Sequence, residues 1–524
     1  MKSINVLVSL VCLVSFFGCD MVTKSDAPKK KSTQTVAKKS DSDQKDDEKK
    51  TTKSSGIKRG SLSGGSGGTK TVRVTFSESD SVDRLFELFK ESTDFTPTLV
   101  VWCLDETPSA VNFVNPVIAE IKKQFSEFAK KENSNLLFAV YGFGETVKSL
   151  TEEPVGTADR LQAALAKYAK DSSDHENGLA AVAQAHKDYA EYKTGKGHQV
   201  IVVVVTDEVP SDVARLEESI KPLKQDRIPV YVVGKPAPFG RTTVSLAKME
   251  ESSMVFGPET ADLERIHMDY WADSSGMEVI DSGFGPWAYE RLCRETQGRF
   301  LAIRPSSGKS FASSFDRSWP LGARQFSPTE MARHLPDYDS YEEYLASLKE
   351  NKAKEALHNA AQMERVRFNP PGIAEFTVTD QAKLAQEVLR SQQSIAAGSL
   401  PVKNLYETLK NGEADREKLE GARWQASYDL AMGRAAANYV RLDSANTMLA
   451  DVKTGMKFQN PENNTWTIEP ANEINSGSAH KRLAETAVKY LERVIEEHPD
   501  TPWAYIAERE LQSPMGWKWT ESKR

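Results

Sequence analysis

At 524 residues the chain is too long for one ordinary domain. Its 68 Lys and Arg against 75 Asp and Glu leave a net charge of −7, which supplies no electrostatic footprint for nucleic acid. Four cysteines, at 12, 19, 103 and 293, include no Cys-x-x-Cys pair and argue against a zinc site or a disulfide framework.

Residues 1–19 have the layout of a secretory signal: Lys2, an apolar run from Ile4 to Phe17, then Gly18-Cys19. The run is short for a membrane-spanning helix. Its ending resembles a bacterial lipobox, which implies lipidation at Cys19 and a protein held to the membrane on the exported, cell-envelope side. Phe16 and Phe17 depart from that motif, and a plain secretory signal with an incidental cysteine is the other reading. Cys103 and Cys293 then remain, both in apolar contexts that suit buried free thiols; an oxidising compartment also permits a bridge between them.

Residues 20–70 are almost entirely Lys, Ser, Thr, Asp, Gly and Gln. Such a composition cannot bury enough apolar surface to fold. It reads as a tether with a reach of about 35–45 Å from random-coil scaling.

Order is expected from Thr71. "TVRVTF" alternates like a strand, and "SVDRLFELFKES" is helical with Leu85, Phe86 and Phe89 on one side. Strands and helices then alternate: "TLVVWCL", the helix "NPVIAEIKKQFSEFAKK", the strands "NLLFAVYGF" and "ETVKSLT", the helices "TADRLQAALAKYAK" and "NGLAAVAQAHKDYAEYK", the strand "HQVIVVVVTDE", the helix "SDVARLEESIKPLKQ" with a Ser-Asp start, and the strand "IPVYVVG". Near-continuous Val and Ile strands between helices predict an α/β domain over 71–326, with a mostly parallel, doubly wound sheet covered on both faces. Residues of about 235–285 break the pattern and read as an insertion before a last helix and strand, "PWAYERLCRETQGRFLAI". From 327 to 524 helix periodicity predominates, and "HPDTPWAYIAERELQ" resembles tetratricopeptide units without a clean 34-residue repeat, so an all-α helical-hairpin domain is expected.

Two strands end in acids, "VVWCL-DETPS" and "VVVVT-DE". In an open parallel sheet both would face one crevice at the carboxyl rim. Asp105, Thr107, Ser109 and Asp207 thereby form an all-oxygen set suited to a hard divalent cation. Alone, "DETPS" also reads as a helix cap. Asp105-x-Thr107-x-Ser109, followed about a hundred residues later by Thr206-Asp207, resembles the metal-ion-dependent adhesion site of von Willebrand factor type A domains. The resemblance covers roughly Thr96 to Ile303. It implies Mg2+ or Mn2+ held directly by Thr107 and Ser109 and mainly through water by Asp105 and Asp207, with a protein partner supplying a carboxylate. The family's further threonine falls on Glu176, with Ser173 the nearest hydroxyl alternative, and Glu208 stands where glycine is common.

Other motifs are weaker. "SSGKS" at 306–310 lacks the first glycine of a phosphate loop, and "GFG" at 142–144 lacks the third glycine of a dinucleotide fingerprint. His175 reads as a solvated loop residue, and Trp503, Trp517 and Trp519 as packing residues rather than a binding face. The expected function is therefore non-enzymatic: an exported, membrane-tethered protein-binding scaffold. One alternative is a structural scaffold whose metal site no longer binds. Another is a Mg2+-dependent phosphohydrolase of the haloacid dehalogenase kind, which would need a second aspartate where Thr107 stands.

Overall fold

The segment Thr98–Asp105 forms strand β1, buried along its whole length. A strand covered on both faces needs apolar side chains in both directions, and this one has them. Val100, Trp102 and Leu104 enter one core, while Leu99, Val101 and Cys103 enter the other. The structure is a computed structural model that describes residues 78–130, 135–173, 175–240, 259–271, 280–304, 326–366 and 374–524. The signal, the tether, the expected strand "TVRVTF" and "SSGKS" lie outside the described residues.

β1 pairs in parallel with β2 (Leu136–Phe143) on one side and β4 (Gln199–Thr206) on the other. β3 (Val147–Ser149) adds antiparallel to β2, and β5 (Val230–Gly234) and β6 (Phe300–Ala302) extend the far side in parallel. The order is β3-β2-β1-β4-β5-β6. The chain runs outward from β1 to β3 and then returns to the other side of β1. The switch point therefore lies between β1 and β4, where open α/β sheets collect ligands.

One face carries α1 (Glu78–Phe95), α2 (Val111–Phe128) and α3 (Ala158–Leu165). Phe89, Phe125 and Phe138 gather round Trp102 on this side, with Phe125 and Phe138 ring centroids 4.4 Å apart. The other face carries α4 (Gly178–Thr194), α5 (Leu216–Gln225) and α6 (Trp287–Glu295). α3 stops at Leu165 instead of running on to Lys170. The Ser-Asp start of α5 is also corrected. A 3-10 turn, Val213–Arg215, precedes that helix, and the Asp212 carboxylate accepts from the backbone of Leu179 and Ala180 at 3.2 and 2.7 Å, capping α4 instead. Cys103 and Cys293 are both buried free thiols, and burial pushes the Cys103 thiol up.

The C-terminal region contains α7 (Pro328–Arg333), α8 (Tyr341–Glu350), α9 (Lys352–Ala361), α10 (Gln381–Lys410), α11 (Ala422–Lys453), α12 (Ser478–Glu497) and α13 (Pro502–Leu511). To these the structure adds a three-stranded antiparallel sheet that helix periodicity did not announce, formed by β7 (Ala374–Thr377), β8 (Thr465–Ala471) and β9 (Gly516–Ser522). Trp466 and Ile468 bury one face of it. Trp517 is buried and donates its indole N–H to the Arg441 carbonyl at 2.8 Å, and Trp503 donates to Ser427 at 2.8 Å, so both are packing residues.

α11 is the axis of this region, buried nearly all round. Gly433 lets α12 approach, for a Cβ there would lie 2.7 Å from Leu491 Cγ. Three of its buried charges are neutralised at once: Arg434 and Arg441 share Glu510 of α13, and Asp429 takes Arg416. The insertion belongs to the same core. Phe239, Ile266, Met268, Trp271 and Ile280 cluster with residues of α8 to α13, and the Phe239 and Trp503 rings sit 4.7 Å apart. Arg423 of α11 pairs with Glu259 and Glu264 at 3.1 Å each, and Arg434 donates to the carbonyls of Met268 and Asp269. Among the described residues no helix is long and apolar enough to cross a membrane.

Removing one partner of a buried charge network leaves the others uncompensated, at a cost of about 3–5 kcal/mol. Glu510→Ala is therefore expected to lower the unfolding free energy by about that amount in chemical denaturation, because it strands two buried guanidinium groups together.

Candidate metal centre

β1 ends in Asp105, whose side chain is fully buried. One oxygen accepts the Thr107 amide at 2.9 Å and the Thr107 hydroxyl at 2.7 Å; the other accepts the Thr206 hydroxyl at 2.6 Å. Thr206 is the last residue of β4, so the carboxylate stitches the rims of the two central strands across the switch point. The buried Thr107 hydroxyl lies 3.3 Å from that of Ser109, which is exposed. Tyr168 donates to the Asp105 carbonyl at 2.6 Å and fixes the chain as it leaves the strand. Burial pushes the Asp105 carboxyl up to about 6 against the three hydrogen bonds, and Asp207 adds to the rise.

Asp207 follows directly on β4 and is 8% exposed. Its Oδ2 accepts the Lys235 ammonium at 3.0 Å, and its buried Oδ1 has no hydrogen-bond partner. Thr206 is in register with Gly234, so the residue after β5 sits beside the residue after β4. Glu176 lies just before α4, also buried. Ser211 holds it on three sides, donating its hydroxyl to Oε2 at 2.9 Å, accepting the Glu176 amide at 3.0 Å, and donating its own amide to the Glu176 carbonyl at 2.9 Å. Burial pushes the Glu176 carboxyl up to about 8. Glu208 contributes, the Ser211 bond opposes, and Asp105 and Asp207 add to the rise.

The structure therefore gathers Asp105, Glu176 and Asp207 into one electrostatic neighbourhood at the crevice, with the Thr107 and Ser109 hydroxyls beside Asp105. Ser173 is engaged elsewhere, 3.2 Å from an Asp171 carboxylate oxygen that also takes the Glu145 amide. His175 is exposed. The "GFG" turn at the end of β2 makes room for carboxylates: a Cβ on Gly142 would lie 2.3 Å from Glu106, and one on Gly144 2.2 Å from Asp171. Lys235, Ser211 and Tyr168 escaped sequence reasoning. Only Lys235 left a signal there, as the residue after a third strand ending at the same rim.

Among the described residues no three His, Cys, Asp or Glu side chains form a metal-holding group by themselves. A cation here depends on hydroxyls as well as carboxylates. The donor set is all oxygen, repels itself, and includes a buried oxygen at Asp207 without a partner, and on these grounds it fits a hard divalent ion.

Strand order, helices on both faces and an acid-lined crevice at the switch point define a doubly wound α/β domain with its candidate site at the carboxyl rim. That is the α/β architecture, with a mostly parallel sheet covered on both faces, that the strand and helix alternation predicts. No protein-family model matches the chain, and no curated protein matches it in sequence. Similar solved structures include an aerotolerance-related membrane protein from Bacteroides fragilis at 18% identity, covering 40% of this chain and 92% of its own, with a TM-score of 0.22. BatB from Bacteroides thetaiotaomicron matches at 16% identity over 40% of this chain and 92% of its own, with a TM-score of 0.24. The SpRpn10 VWA domain matches at 9% identity over 44% of this chain and 99% of its own, with a TM-score of 0.26. The reading of the site rests on the residues of this chain alone.

Folded Glu176 holds its proton to about 8, whereas the ordinary glutamate value is 4.5. The folded state binds that proton more tightly than the unfolded one, so stability is lost as pH rises through the window. Glu176→Gln removes this titration. Thermal unfolding in chelator should show the variant level with wild type at about pH 5 and more stable at about pH 9.

Proposed function

We propose that the chain is an exported, membrane-tethered, protein-binding scaffold whose von Willebrand A-type domain engages a partner through a metal-ion-dependent adhesion-type site. The observation that carries the reading is the buried carboxylate cluster at the switch point, with its unpartnered Asp207 oxygen. Thr107 and Ser109 would hold Mg2+ or Mn2+ directly, Asp105 and Asp207 through water, and Glu176 from the third loop. When bound, the ion supplies a Lewis-acidic positive charge for a carboxylate of the partner. The chain's own residues do the positioning: Thr206 and the Thr107 amide fix Asp105, and Ser211 fixes Glu176. The role is binding without turnover. A dehalogenase-like phosphohydrolase needs a second acid where Thr107 instead donates to Asp105.

A second reading, a structural scaffold without a working metal site, is favoured by one observation: the Lys235 ammonium already neutralises Asp207. Export and anchoring rest on residues 1–19 and on the tether.

Mg2+ or Mn2+ at a hundred times its dissociation constant should stabilise a soluble form beginning at Thr71 by about 2.7 kcal/mol in thermal unfolding. The shift should vanish in Asp105→Ala and in Asp207→Ala. A wild type that does not respond would favour the scaffold reading. Cys19→Ser is expected to move the full-length protein from the membrane to the soluble fraction of a bacterial host, and retention in the membrane would refute lipid anchoring at that residue.

A further inference from the structure

Lys235 stands at a carboxylate for which a divalent ion and a protein ammonium would compete. Its Nζ lies 3.0 Å from Asp207 Oδ2, with the lysine side chain 22% exposed and the aspartate side chain 2% exposed. The other oxygen of the same carboxylate is buried without a partner. A cation approaching Asp207 therefore meets a positive charge within one carboxylate's width, and the two repel strongly where solvent is scarce. The backbone on both sides is fixed by the Thr206 to Gly234 register. The lysine side chain is a flexible four-carbon stem that is partly open to solvent, which suits a charge that has to move.

We propose that Lys235 is a tethered counter-cation of the metal site, exchanged for the divalent ion: the ammonium neutralises Asp207 in the metal-free protein and swings to the rim when the ion enters. This rests on the metal-site reading above and adds its regulation. The exchange gives the displaced ammonium a use. Once the ion has displaced the proton of Glu176, the carboxylates of Asp105, Glu176 and Asp207 set three formal negative charges against two from the ion, and Glu208 is exposed beside them. A partner's carboxylate would be repelled by that excess, and Lys235 released at the rim offsets it. Affinity for the ion is lowered by the lysine, so the site loads only where the ion is plentiful or a partner's acid assists.

The test uses the full-length chain in detergent. Lysine acylation by a small N-hydroxysuccinimide ester is read by peptide mass spectrometry with and without saturating Mg2+, and Mg2+ affinity is measured by calorimetry for wild type and Lys235→Gln. Exchange requires that Mg2+ raise the labelling rate of Lys235 several-fold while the exposed Lys221 is unchanged. It also requires that Lys235→Gln bind Mg2+ roughly tenfold more tightly, the effect of about 1.4 kcal/mol. Binding by the variant alone would be the same exchange with the lysine dominant. If wild type binds Mg2+ while Lys235 labelling stays constant and the variant keeps wild-type affinity, the exchange is wrong and the metal site stands. If neither protein binds Mg2+, the metal-site reading falls and the exchange falls with it. Should the variant fail to fold, labelling of the wild type decides alone.

Discussion

A single carboxylate joins the two halves of the parallel sheet at the point where they diverge. Asp105 is taken fully out of water at the end of β1, which is unfavourable for a charge unless the surroundings supply donors. They come from the next turn of its own chain and from the end of β4, 101 residues away. Because Thr107 and Thr206 both spend their hydroxyls on Asp105, the loop after β1 and the loop after β4 are held in one arrangement. Everything else at the rim is placed from there: Asp207 is the residue after Thr206, Ser211 follows within the same loop, and Ser211 in turn holds Glu176.

The same geometry explains why negative charge accumulates. Three loops deliver carboxylates to one crevice, and the β5 rim delivers a lysine. Burial raises Asp105 and Glu176, and repulsion among the acids raises them further. Such a cluster is costly to a fold that has no use for it, and a structural helix cap would need only one of its members.

Much of this is legible in the sequence. Strands such as Thr98–Asp105 and Gln199–Thr206 are continuous apolar runs bounded by polar turns, and a run buried on both faces leaves little ambiguity. Their terminal acids could be placed on one rim because parallel strands end at the same edge. What could not be read was side-chain commitment. Lys235 looks like any residue after a strand until the Thr206 to Gly234 register sets it against Asp207. Asp212 looks like the cap of the helix that follows it, yet it caps α4, whose start is distant in sequence and adjacent in space. The small antiparallel sheet escaped for another reason. β7 has four residues and β8 seven, too few for alternation to stand out between long helices. In α11 the arginines suggest an exposed face, and only the acids of α13 and of the insertion show that they are interior.

The insertion has a consequence for how the molecule is divided. By chain order it interrupts the α/β domain, and by packing it is part of the helical region, sharing one apolar core with α8 to α13 and pinned to α11 by Arg423 and Arg434. The two regions are therefore interlocked rather than strung in series. An α/β unit excised at the end of β6 would carry away a segment whose apolar side chains have lost their cover, and the helical remainder would be left with a hole where that segment had been. An α/β domain that keeps its core to itself is portable. Here its portability has been given up, and the two regions could be inherited, exchanged between proteins or diverge in sequence only together.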